Sequence, residues 1–255
     1  MKRINFTIII AVVALCFTAY SQTSERKITE QEKQEVEKFA DSFMQSYQQT
    51  LNLTKVPESF FVSDYKKRNS YSYSINDFDK MLTDDEKFQN YFTLLDLVTL
   101  IMITKLDENN YDLKKTFDNS DANKGDNEDE ILSKKLRLLF QKYPKAQMFF
   151  NEDEKNSSQI KNIGDYRNAA QDFRSFVQEV RQSITAETKI KFSNLLTKYK
   201  DKLFELKKSF NCSKDDCEGL PEKTEMFYYE GLPFVLLIAK ENGKLKIVKV
   251  LPFDD

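Results

Sequence analysis

Asp96 is the side chain in this sequence whose position most needs a chemical explanation. It interrupts residues 92–106, a run that is otherwise apolar almost all round a helix. A carboxylate there must be ion-paired, solvated in a cavity or held protonated, and the last would make it a general acid. The plainer alternative is that it lies on the helix's one polar edge or bonds a backbone group. Tyrosines form the second set of candidates. Tyr71 and Tyr73 alternate within Tyr71-Ser72-Tyr73-Ser74, so both rings share one face of an extended segment and could stack on a sugar or a partner at little entropic cost. Tyr65, Tyr228 and Tyr229 are further candidate ligand contacts, against the plainer reading that such rings lie on the body of the protein.

Cys212 and Cys217 are separated by Ser213, Lys214, Asp215 and Asp216, enough chain for the two sulfurs to meet. In an oxidising compartment this pair is expected to form a disulfide, and so short a loop would contribute only about 2 kcal/mol, pinning a local turn between a helix and a sheet. A redox-active pair is normally closer, and a zinc site needs further thiols or histidines.

The exclusions are firmer. The chain has 0 His, which removes the usual general base, the Ser-His-Asp and Cys-His arrangements and the commonest zinc ligand. Its 5 Gly are too scattered for a phosphate-cradling loop or a nucleophile elbow. With 39 basic against 41 acidic residues, nucleic acid is not an expected partner. Asp121, Asn123, Asp126 and Glu128 offer oxygen ligands, but Gly125 falls one place too early for a calcium loop of the helix-loop-helix kind, so residues 118–130 read as an acidic surface loop. No cofactor or metal is implied. What remains for catalysis is carboxylates, Tyr, Lys and Ser, and no acid pair stands out.

The elements that must position these residues are mostly helices. Lys2 and Arg3 precede the apolar run from Ile8 to Leu15, and Ala19-Tyr20-Ser21 supplies small residues for cleavage after Ser21. Residues 1–21 are therefore expected to be a cleavable export signal. Cys16, behind bulky Leu15, reads as an apolar filler discarded with it. The apolar stretch is short against the roughly 20 residues of a stable span, so no membrane span is expected in the mature chain. Thr29-Glu30-Gln31-Glu32 is a capping box opening a helix over 30–51, whose stripe is Val36, Phe39, Ala40, Phe43, Tyr47 and Leu51. Pro57 breaks the pattern. Thr83-Asp84-Asp85-Glu86 opens a central buried helix. A third helix is read over 131–143. A fourth, after Gly164, carries Ala169, Phe173, Phe176, Val177, Val180 and Ile184. A fifth carries Ile190, Leu195, Leu196, Tyr199, Leu203, Leu206 and Phe210. Its lysines read as a solvated face.

After the cysteines the period changes to that of strands. Residues 226–229 and 234–239 are strand-like, the second apolar on both faces. Glu241-Asn242-Gly243-Lys244 fits a two-residue type I′ hairpin, and the order Leu245, Ile247, Val248, Val250 shifts the alternation by one, which predicts a bulge or a strand end buried on both faces. The fold class read from these signals is α+β, a mainly helical body of about five helices packed on a small C-terminal antiparallel sheet. Residues 22–255 read as a single globular domain, helical over 29–210 with a β-hairpin region at 225–253. The function expected is that of a secreted or periplasmic, non-catalytic protein binding a small ligand or a protein partner. The alternative is a histidine-free, carboxylate-dependent hydrolase or lyase acting on glycan.

Overall fold

The computed structural model describes residues 28–70, 78–108, 141–149, 160–203, 205–209, 224–231 and 233–253. The chain is α+β. Its described α-helices are α1 (Glu30–Thr50), α2 (Tyr65–Arg68), α3 (Asp84–Glu108), α4 (Ile163–Ser183) and α5 (Ala186–Leu203). The strands are β1 (Glu205–Ser209), β2 (Met226–Gly231), β3 (Phe234–Glu241) and β4 (Lys244–Pro252), joined in that order in one antiparallel sheet. The chain divides into two compact units. Of the described residues, one takes in 28–70, 83–95, 195–203, 205–209, 224–231 and 233–253, and the other 78–82, 96–108, 141–149 and 160–194. The export signal, the 118–130 loop and the cysteine pair lie outside the described residues.

In the first unit, α1 begins as its capping box requires. The Glu32 carboxylate accepts from the Thr29 N–H, and Thr29 Oγ1 accepts from the Glu32 N–H. Val36, Ala40, Phe43 and Tyr47 form its buried stripe. The helix ends on Leu51, which takes a left-handed conformation at φ 51. That costs about 1–2 kcal/mol for a residue other than glycine. The Leu51 side chain is buried, which returns roughly 1.5–3 kcal/mol, so packing holds the chain in its reversal.

The sheet carries the unit's core. All of Phe234–Ala239 is buried, as expected of a strand covered on both faces. Tyr47 of α1 meets Phe234 edge-on at 4.9 Å. At the β3–β4 turn, Asn242 and Gly243 have φ of 52 and 76, and Glu241 faces Lys244. Positive angles at both central residues are those of a type I′ turn, which matches the twist of the strands it joins. The register between β3 and β4 slips between Leu237, opposite Lys249, and Ile238, opposite Ile247. Val248 is thus the extra residue of a bulge, where the sequence alternation shifts.

A bulge and an outer edge leave backbone groups to be satisfied, and the chain answers with residues 58–69. Phe61 forms a parallel bridge with Ile247, and the Val62 N–H donates to the Ile247 carbonyl at 3.0 Å. Beyond it, fully buried Asn69 acts as a surrogate peptide. Its Nδ2 donates to the Val248 carbonyl at 3.1 Å and to the Tyr65 carbonyl at 2.9 Å, and its Oδ1 accepts from the Val250 N–H at 2.8 Å. The Tyr91 hydroxyl, from α3, donates to the Val250 carbonyl at 2.8 Å.

One element differs from the sequence expectation. The helical stripe read through Leu206 and Phe210 stops earlier, because α5 ends at Leu203 and Glu205–Ser209 is strand β1. Leu206 pairs with Tyr229 in that register. A single apolar residue in a five-residue window fits either period, and here the partner strand decides.

In the second unit, Asn162 caps α4 by accepting from the Asp165 N–H at 3.0 Å. Tyr166, Ala169, Phe173, Phe176, Val177 and Val180 are buried along it, and Phe149 stacks on Phe173 with centroids 4.7 Å apart. The break after α4 falls at Ile184, and Thr185 Oγ1 then accepts from the Thr188 N–H to start α5. Thr188 and Phe192 are the buried positions on this part of α5, whereas Ile190 is 62% exposed. Ile190, expected on the stripe, therefore lies about half a turn away from the face that buries Thr188 and Phe192.

Replacing Asn69 with Ala leaves the Val248 carbonyl and Val250 N–H without their partner. At about 1–3 kcal/mol for each of these two buried groups left unmade, the expected loss is roughly 2–6 kcal/mol in urea unfolding, with an unchanged m-value. A loss below about 1 kcal/mol would mean that water replaces the amide.

Candidate functional site

The described candidate residues are divided between the two units. Tyr65, Tyr228 and Tyr229 belong to the first unit and Asp96 to the second. Tyr71, Tyr73, Cys212 and Cys217 lie outside the described residues.

Asp96 stands on α3 between Leu95 and Leu97, and is 1% exposed. Its Oδ2 accepts from Arg181 Nη2 at 2.8 Å. Arg181 lies in the last turn of α4, where a cation also suits the helix dipole, and its Nη1 donates to Gln178 one turn earlier. A buried carboxylate needs such a partner, since desolvating a lone ion costs several kcal/mol. Glycosidase general acids are carboxyls kept protonated by apolar or like-charged surroundings, whereas Asp96 faces a cation. Arg181 was the missing residue in the sequence reading. Its one signal is its place directly after Val180, at the border of the apolar stripe of α4.

Tyr65 is a core ring with a surface hydroxyl. Its ring stacks on Phe61 at 4.8 Å and meets Phe88 edge-on at 5.3 Å. Its hydroxyl donates to Glu58 Oε1 at 2.9 Å. Burial first, then the hydrogen bond to Glu58 and the negative charges of Glu58 and Asp85, push its pKa up to about 12. It is therefore a hydrogen-bond donor at neutral pH and not a base. Next to it, Lys66 donates to Asp85 Oδ1 at 2.7 Å and lies 6.0 Å above the Phe88 ring. The Asp85 hydrogen bond raises the lysine's pKa against a smaller desolvation. Glu58, Tyr65, Lys66 and Asp85 thus form a cluster whose charges compensate one another at the surface, where an exposed pair is worth only about 0–1 kcal/mol.

Tyr228 and Tyr229 are consecutive on β2 and point to opposite faces. Tyr229 is buried, and burial followed by the charges of Asp41 and Glu37 on α1 raises its pKa well above the usual tyrosine value. Its ring lies over Gly231, where a Cβ would come within 2.8 Å of Tyr229 Cε1. Tyr228, opposite Leu237 and Lys207, is half-buried. It is the one described tyrosine of the candidate set with substantial exposed surface. Among the described residues, no group of three or more acids or cysteines could hold a metal ion, and no helix is long and apolar enough to cross a membrane.

Compared with known proteins, the chain matches no family model, no curated protein and no solved structure.

Two predictions follow from this geometry. Asp96→Ala strands Arg181 in the interior and should cost ~3–5 kcal/mol, while Asp96→Leu combined with Arg181→Met should recover most of that. Denaturant unfolding of the two variants checks it, and equal losses in both would mean the site cannot repack. The second concerns Tyr65, whose folded pKa lies above its unfolded value of 10.0. Its contribution is complete below pH 10 and is lost as pH rises through about 12. Tyr65→Phe should flatten the alkaline fall of the urea midpoint in that window, and an identical slope in the variant would remove Tyr65 as its source.

Proposed function

We propose that this protein is exported by its N-terminal segment and acts outside the cytoplasm as a non-catalytic binder of a small ligand or a protein partner. The observation that carries the reading is the Asp96–Arg181 ion pair. The residue with the best sequence claim to acid catalysis is buried and engaged by a guanidinium at 2.8 Å. The remaining candidates lean the same way, because Tyr65 and Tyr229 keep their protons at neutral pH and the chain has 0 His to serve as a base. Half-exposed Tyr228, whose cross-strand partner on β1 is Lys207, is the described aromatic of the candidate set best suited to a contact.

The test is native mass spectrometry of the protein recovered gently from the envelope or secreted fraction of its own cells, alongside an assay of glycan cleavage. A bound small mass or a stoichiometric protein partner, with no cleavage, is the expected outcome. Cleavage abolished by Asp96→Asn in a variant that still folds would establish the hydrolase alternative instead.

A further inference from the structure

We propose that Asn242 is a self-modification site, at which the tip of the β3–β4 hairpin deamidates through a cyclic imide without an enzyme. In this reaction the Gly243 backbone nitrogen attacks Asn242 Cγ. A new N–Cγ bond forms, the Cγ–Nδ2 bond breaks, and the nitrogen's proton leaves with ammonia by way of solvent base. Water then opens the succinimide at either carbonyl, giving aspartate, or isoaspartate with the main chain routed through the side-chain carbon. Water is the only co-reactant.

Three observations place the reaction here. Glycine follows the asparagine, so no side chain shields the attacking nitrogen. A Cβ built on Gly243 would meet nothing within 4 Å beyond its chain neighbours, so no other part of the described protein crowds the glycine that supplies the nucleophile. Both Asn242 and Gly243 are exposed, and the turn is flanked by Glu241 opposite Lys244.

Asn69, which is followed by Ser70, supplies an internal contrast. It too precedes a small residue, yet it is fully buried with its amide nitrogen donating to two carbonyls and its oxygen accepting from Val250. The same chemistry is blocked there, because the amide cannot leave without breaking the β4 edge.

The product alters the hairpin. A carboxylate at 242 stands next to Glu241, whose Oε1 accepts from the Ser63 N–H and Oγ, both at 3.3 Å. In the isoaspartyl form an extra backbone carbon enters a turn whose geometry depends on two residues alone.

The experiment is to hold the purified full chain in mildly alkaline buffer at physiological temperature and follow its proteolytic peptides by mass spectrometry. Isoaspartate is assayed by enzymatic methylation. The 242–243 peptide should exchange its amide for a carboxyl with isoaspartate the larger product, Asn69 should stay intact, and Asn242→Gln should abolish the change, because a six-membered imide closes far more slowly. Two results would overturn the proposal. One is a folded chain whose Asn242 stays intact while a synthetic peptide of the same sequence converts. The other is reaction at Asn69 as fast as at Asn242, which would assign the chemistry to unfolded chain.

Discussion

The outer edge of β4 has to be closed, and much of the first unit's arrangement follows from how this is done. An antiparallel sheet ends in a row of unpaired amides and carbonyls, which in a buried setting cost about as much as lost hydrogen bonds. A bulge at Val248 makes the row irregular, so another strand could not pair along its whole length. The protein uses a mixed solution. One backbone bond comes from Val62, two side-chain bonds from Asn69, and one from the Tyr91 hydroxyl. The short helix α2 brings Asn69 into place, and the aromatic group of Phe61, Tyr65, Phe88 and Phe92 fixes the segment that carries it.

This closure also decides what Tyr65 is. Its ring is committed to the packing that holds the edge segment, which leaves only a hydroxyl for Glu58 at the surface. A tyrosine that reads as a ligand contact in the sequence is in the structure a part of the scaffold. Asp96 has a parallel history in the second unit. An acid amid leucines invites a catalytic reading, and its role is instead to be matched by Arg181, whose position is set by the end of α4. Asp96 is explained by a partner 85 residues away, and the Tyr65 ring by packing that reaches Phe88 on α3.

That remoteness marks the limit of what was legible in the sequence. The capping boxes at Thr29 and Thr83, the buried stripe of α1 and the turn at Asn242-Gly243 are local signals, written within a few residues of one another, and the structure has each of them. The alternation shift around Val248 was equally local, and a register slip is found there. Strand β1 was not legible, because Glu205–Ser209 has one apolar residue and takes its identity from pairing with β2. Ile190 misled although its spacing was legible, because nine residues before Tyr199 it stands about half a turn off the apolar stripe. Nothing local announces Asn69 as the residue that closes a sheet edge.

Native-state hydrogen exchange tests the closure most directly, read at the Val62 and Val250 amides. If Asn69 and the 58–69 segment truly seal β4, both amides exchange only through global unfolding, with protection equal to that of the β3 core. Exchange at Val250 as fast as at an exposed loop, while β3 stays protected, would contradict the account and show that the edge opens on its own.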